Sequence, residues 1–300
     1  MPSARRPEGP AVVALGGGHG LAVALGAARR YAGDITAIVS VADDGGSSGR
    51  LRRDLDVPAP GDLRKALVAL ASDDGWGRAL EHRFRTGELE GHAVGNLFLV
   101  GLAEEFDDLT AALDEATRLV HAVGRVLPAT VDPVVIKAEV AGEAVEGQVA
   151  VAAAGGRGRI ERVELVPHDA PASAAALAAI ANADQIVLAP GSLYTSVVAV
   201  LCVPALREAI TAAPANVVMV DNLHAEVPET DGLDGTDHLM AVLDHGARVD
   251  VLLYDERRGL AVDEAAVRAR GVTPFAADVA DPAGAEHEPA KLASALASLM

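Results

Sequence analysis

The residues best equipped for chemistry form one block, Asp43-Asp44-Gly45-Gly46-Ser47-Ser48-Gly49-Arg50, continued by Leu51, Arg52 and Arg53. Adjacent carboxylates can hold Mg²⁺ or a sugar hydroxyl. Glycines let backbone N–H groups approach a ligand closely, and arginine clamps phosphate. A plain turn needs only a pair of such residues, so the whole block is read as a ligand loop, with Asp43 and Asp44 as its candidate metal ligands. In an extended chain the two carboxylates point to opposite faces. One can then face a ligand while the other holds the turn.

Five further groups join it. Gly16 to Gly20 precede an apolar helix over Leu21 to Arg30, and a helix N-terminus accepts anions. Gly17, Gly18, His19 and Gly20 are therefore candidate ligand residues. The loop is not G-x-G-x-x-G, because Leu21 occupies the sixth position, and no Gly-Lys-Ser follows. NAD is not indicated. Asp62, after Pro60-Gly61, reads as the N-cap of a helix Leu63 to Ala71 and as a candidate site residue. Arg64 and Lys65 oppose that helix's dipole, a hint of a nearby anion. His92 and Asn96 flank Gly95 ahead of a helix Leu97 to Ala103. Gly191, Ser192, Tyr194, Thr195 and Ser196 follow a strand Gln185 to Ala189 and open a helix Val197 to Ala213. The pattern is not G-x-S-x-G, so no nucleophilic serine is indicated there. Asn222 ends a strand Val217 to Val220, and Glu229 and Thr230 lie in a loop Glu226 to Asp237. His238 and His245 share a helix face but lack a partner at four-residue spacing, so they are not read as a metal pair. No residue is assigned a catalytic role. Asp43, Asp44, Asp62 and His19 have binding or capping explanations, and His92 is the one base without such an account. The inventory favours binding over covalent chemistry.

The elements that must carry these groups alternate. A strand Ala11 to Leu15, a glycine loop, a helix and a strand Ile35 to Ala42 make a βαβ unit. Parallel sheets bind ligands beyond the carboxyl ends of their strands. Residues 16–20, 43–50 and 191–196 should therefore face one crevice. A helix is expected over Leu109 to Val123. Beyond Arg125, Val131 to Val140, Ala144 to Ala153 and Ile160 to Val166 read as three strands of an antiparallel insertion, serving as lid or oligomer contact. An alanine-rich helix Ser173 to Ala183, strands Val249 to Tyr254 and Val272 to Ala277, and a helix Lys291 to Met300 follow. The expected fold is α/β, Rossmann-like and three-layered, with a mostly parallel sheet and a small antiparallel β insertion. Residues 1–10 are expected to be a disordered leader, and 11–300 one domain with the insertion at about 131–166.

Composition narrows the function. The formal net charge is −18, which argues against nucleic acid as a partner. Half of the 300 residues are hydrophobic and only 3% aromatic, so the core is built from Ala, Val and Leu. A single cysteine, Cys202, excludes a disulfide framework within the chain. The start lacks the apolar stretch of a signal peptide and no run reads as a membrane span, so a cytoplasmic protein is expected. A homo-oligomer is compatible with all of this.

Several motifs also resemble one family. They are Gly16-Gly17-Gly18-His19-Gly20-Leu21, the block from Ile35 to Arg52, Pro60-Gly61-Asp62-Leu63-Arg64, Gly91-His92-Ala93-Val94-Gly95-Asn96-Leu97, Gly124 to Ala129, Ala189 to Val197, and Glu229-Thr230-Asp231-Gly232 with Asp237-His238-Leu239. Together they resemble the YvcK family, the gluconeogenesis factors of bacteria, within the CofD-like superfamily. The resemblance runs from about residue 11 to 255. It departs at His19, where the family usually has Thr, and at Glu226 and Pro228, where it usually has Gln and Gly. It implies a Rossmann-like fold and a cytoplasmic protein needed for cell shape and wall synthesis on gluconeogenic carbon sources. It further implies binding of a nucleotide, a UDP-sugar above all. The alternative it leaves is a 2-phospho-L-lactate transferase of the CofD type, working with Mg²⁺ on a deazaflavin acceptor. CofD also has paired aspartates, without the Gly-Gly-Ser-Ser-Gly-Arg continuation.

Overall fold

The strand Ala11–Gly16 (β1) sets the frame, and the unbroken apolar run Val12 to Leu15 is buried throughout. Strands of a parallel sheet are covered on both faces, so they read as continuous apolar runs rather than alternating ones. In the computed structural model, which describes residues 8–55, 57–72 and 75–300, β1 leads into α1 (Gly18–Ala28) and β2 (Asp34–Val39). Residues 1–7 of the expected leader lie outside the described residues. Five helices follow: α2 (Gly46–Leu55), α3 (Pro60–Leu70), α4 (Trp76–Glu81), α5 (Val94–Phe106) and α6 (Leu109–Leu119). After β3 (Arg125–Pro128) comes the insertion, with β4 (Val135–Val140), β5 (Glu143–Glu146), α7 (Gln148–Ala154) and β6 (Ile160–Val166). The second half runs α8 (Ala174–Ala181), β7 (Gln185–Leu188), a π-helix Leu193–Val198, α9 (Ala199–Leu201), α10 (Pro204–Ala212) and β8 (Asn216–Val220). It closes with α11 (Gly235–Asp244), β9 (Val251–Tyr254), α12 (Glu264–Ala269), β10 (Thr273–Ala276) and α13 (Pro289–Ala297).

The main sheet has seven parallel strands in the order β10-β9-β8-β7-β1-β2-β3. The chain grows from β1 outward to β3, then returns to β7 on the other flank of β1. The strand order therefore reverses between β1 and β7, and such a reversal opens a crevice at the carboxyl ends. The insertion is a separate antiparallel sheet, β5-β4-β6. Both expected sheets are present.

Several local expectations are corrected. Ala144 to Ala153 is not one strand, because β5 stops at Glu146 and α7 follows. Gly147 takes φ +96 and ends the strand. The Val/Ala alternation imitates a strand period, but alanine is the strongest helix former. The block after Asp44 is a helix, α2, rather than an open loop, and Arg52 and Arg53 suit the dipole of its last turn. Asp62 is not an N-cap. Ala59 holds that position, Pro60 starts α3, and Asp62 lies inside its first turn. His82 ends α4, and Arg83 pairs with Ala93 as an isolated bridge. Val197 to Ala213 is not one helix. Pro204, which lacks an N–H, separates two pieces bent by 75°. No single helix among the described residues is long and apolar enough to cross a membrane.

Candidate functional site

Glycines bring the strand-end loops into contact. A methyl group on Gly17 would lie 2.5 Å from Asp62 Oδ2 and 3.0 Å from Ser196 Oγ. One on Gly20 would lie 1.8 Å from the carbonyl oxygen of Pro190, and one on Gly61 would lie 2.3 Å from Ser48 Oγ and 3.1 Å from Asp43 Oδ2. The loops after β1, β2 and β7 and the first turn of α3 thus meet at the switch point. The sequence reading brought residues 16–20, 43–50 and 191–196 to one crevice, and the geometry places them together. Gly49 is needed for the same kind of reason, since its methyl group would lie 1.8 Å from the Asp44 carbonyl oxygen.

The adjacent carboxylates part company, as neighbours on an extended chain do. Asp43 Oδ1 accepts the Gly45 N–H at 2.9 Å, and its other oxygen faces Gly61. Burial raises the Asp43 pKa and the neighbouring Asp62 charge adds to this, against the Gly45 and Ser48 hydrogen bonds. Asp44 turns to the insertion. Its Oδ1 accepts the Val149 N–H at 3.0 Å, in the first turn of α7. Asp62 Oδ1 accepts from Lys65 Nζ at 2.9 Å. Buried Arg64 lies 3.5 Å from Glu81. The two cations that hinted at an anion therefore have partners within the protein. Among the described residues no three His, Cys, Asp or Glu side chains are grouped to hold a metal. A Mg²⁺ ion would have to complete its shell with ligand phosphates and water, as Mg²⁺ commonly does.

The first turn of α2 joins α5 through a polar chain. Asn96 Nδ2 donates to Ser47 Oγ at 3.0 Å, and Ser47 Oγ lies 3.0 Å from His92 Nδ1. Burial first, then the Arg50 charge, lowers the His92 pKa, so the imidazole is neutral near pH 7. Arg50 donates to the Glu90 carbonyl at 2.8 Å, and its guanidinium borders Gly91. Exposed His19, where the resemblance expects a hydroxyl, lies 3.3 Å from Glu286.

The β7–β8 flank carries acids. Thr195 donates its N–H to Glu229 Oε1 at 3.0 Å, and Ser192 Oγ donates to Glu226 Oε2 at 2.7 Å. The anion at the start of the π-helix is thus the protein's own carboxylate. Burial pushes the Glu229 pKa up, against the hydrogen bonds from Thr195 and Leu193. Thr230 Oγ1 accepts the Glu226 N–H at 2.8 Å. The Asn222 amide is engaged on both sides by Gly191, accepting its N–H at 2.6 Å and donating to its carbonyl at 2.9 Å. Asn222 therefore shapes the Gly191 turn. Tyr194 is buried, and its ring meets His245 edge-on at 6.3 Å.

One pair escaped the sequence reading. Asp221, at the end of β8, lies 3.0 Å from His238 Nδ1, and both side chains are 1% exposed. Asp221 sits at a strand end as Asp43 does, so the same rule could have marked it. His238 carries no local signal. His245, seven residues on, instead accepts the Val163 N–H at 3.0 Å and ties the insertion to the core. Unpartnered buried polar atoms are rare in native proteins and mark sites that want a ligand or water. Of the six such atoms among the described residues, Asn96 Oδ1, Asp221 Oδ2, Glu229 Oε2 and His238 Nε2 belong to these networks.

The fold defines a Rossmann-like α/β protein whose strand-end loops meet at the β1–β7 switch point. The chain belongs to the CofD family, whose model, described as 2-phospho-L-lactate transferase CofD, matches residues 12–291. Within it, the chain is similar to the gluconeogenesis factors of the YvcK type. A Mycobacterium tuberculosis (strain H37Rv) protein, provisionally named a gluconeogenesis factor, is 45% identical over 305 residues, covering 95% of this chain and 89% of the relative. The gluconeogenesis factor of Bacillus subtilis (strain 168) is 40% identical over 239 residues, covering 79% and 75%. A crystal structure of a UPF0052 family member from Bacillus halodurans matches with a TM-score of 0.92 at 36% identity, covering 97% of this chain and 99% of that one.

Proposed function

We propose that this protein binds a nucleotide-sugar, a UDP-sugar in particular, and acts as a cytoplasmic regulator that links gluconeogenic growth to wall synthesis and cell shape. The observation that carries the binding part is the contact of three strand-end loops through Gly17, Gly20 and Gly61 at the switch point. Backbone N–H groups at the starts of α1 and α2 are the donors for a diphosphate, with Arg50, which now donates to the Glu90 carbonyl, as the clamp. The names of the relatives support the link to gluconeogenesis. Asp43, Asp44 and Asp62 are engaged by the Gly45 N–H, the Val149 N–H and Lys65, which suits recognition better than proton transfer.

Calorimetric titration against a panel of nucleotides and nucleotide-sugars, with and without Mg²⁺, tests the reading. UDP-sugars are expected to bind most tightly. Silence across the panel, or robust turnover of a deazaflavin with a lactyl-diphosphate nucleotide, would overturn it. Arg50→Ala is expected to weaken binding by roughly ten- to a hundredfold, since a charge-assisted contact contributes about 1.5–3 kcal/mol. Unchanged affinity in a variant with an intact circular dichroism spectrum would remove Arg50 from the site.

A further inference from the structure

The two flanks of the crevice differ in hydrogen-bonding character. The β1–β2 flank offers N–H donors in the first turns of α1 and α2 and Arg50, while its carboxylates Asp43 and Asp62 are engaged by the Gly45 N–H and Lys65. The β7–β8 flank presents acceptors. At the start of the π-helix, a place that would by itself favour an anion, Glu229 is already seated on the Thr195 N–H. Glu226 is likewise seated on the Ser192 hydroxyl. Glu229 is 5% exposed, and its second oxygen, Oε2, is buried without a partner. A carboxylate pinned at one oxygen and bare at the other repels phosphate and favours a neutral donor.

We propose that Glu229 Oε2 accepts a hydrogen bond from a hydroxyl on the uncharged sugar end of the ligand, so that the ligand lies across the crevice in one direction, diphosphate toward Arg50 and sugar toward Glu229. The assignment rests on the nucleotide-sugar reading and adds its polarity. It also gives the protein a means of selecting nucleotide-sugars over free nucleotides. UDP fills only the donor flank and leaves the Glu229 oxygen bare, whereas a linked hexose supplies the hydroxyl. Gln at position 229 keeps an oxygen for the Thr195 N–H and replaces the bare acceptor with an amide N–H, so Glu229→Gln isolates that one atom.

The test is titration of the full-length wild type and Glu229→Gln with UDP and with UDP-glucose. The wild type should prefer UDP-glucose over UDP, and the variant should lose roughly tenfold or more of that preference, read as the ratio of its affinities for the two ligands. A variant that keeps the preference overturns the proposal and leaves nucleotide-sugar binding standing. A folded variant that loses UDP and UDP-glucose equally also overturns it, because the phosphates would then lie at Glu229. A wild type that binds neither ligand overturns the underlying reading. If Glu229→Gln does not fold, a structure of the wild type with UDP-glucose decides. A sugar hydroxyl on Glu229 supports the polarity, and a phosphate there or an untouched carboxylate refutes it.

Discussion

Gly20→Ala is expected to abolish nucleotide binding and to destabilise the protein by about 3 kcal/mol or more. The added methyl group would lie 1.8 Å from the Pro190 carbonyl oxygen and 2.4 Å from its carbon. Both atoms are backbone, so no side chain can rotate away. The loops after β1 and β7 would have to separate, and they are the two that meet at the switch point. Gly101→Ala is the matched control. It lies within α5, where an added methyl group meets nothing within 4 Å. Alanine there should raise stability by about 0.5–1 kcal/mol. Thermal unfolding and calorimetry on both variants check the pair. A Gly20→Ala protein with wild-type melting temperature and affinity would show that the loops are not packed as described.

The second large effect is expected at Asp255, in the segment that follows β9. Its carboxylate is buried and accepts four backbone N–H groups. Arg257 and Arg258 donate to Oδ1 at 3.0 and 2.9 Å, and Val279 and Ala280 to Oδ2 at 3.0 and 3.1 Å. Burial alone would raise its pKa, but the four donors outweigh it and hold the carboxyl below its ordinary value. Asp255→Ala leaves those donors unsatisfied at about 3–5 kcal/mol in total. For a chain of this size the melting temperature should fall by roughly 10 °C. The pH dependence has a definite sign. A depressed folded pKa contributes stability that is complete above the ordinary carboxylate value of about 3.9 and is lost as pH falls through the lower, folded value. The wild type should therefore lose stability steeply in acid below about pH 4, and Asp255→Ala less steeply. Melting curves from pH 2.5 to 7, run on both proteins, measure this. Parallel acid slopes would show that Asp255 is not the group responsible. The same segment leads to His287, whose Nε2 lies 3.1 Å from the Asp221 carbonyl oxygen, so the variant also tests whether the crevice leans on the C-terminal part of the chain.

What the amino-acid sequence determined by itself was the set of loops and their common side. A short apolar run such as Val12 to Leu15, closed by the glycines that follow it, suits a strand buried on both faces, and Gly16 to Gly20 and Gly45 to Gly49 permit close backbone approach wherever the chain places them. Both properties are local, so both could be read without coordinates. Patterning failed where two local signals conflicted, as in Gln148 to Ala154, whose alternating Val and Ala suit a strand while its alanines favour the helix that forms. The tertiary structure alone decided which partner each polar group takes. Asp44 caps a helix 105 residues away, Ser47 reaches His92 45 residues on, and Glu229 occupies the Thr195 N–H from 34 residues further along. A hydrogen bond acts over about 3 Å, so its partner is set by which loops the sheet order brings together. That order places β7 beside β1, and with it the Pro190–Gly191 turn against Gly20.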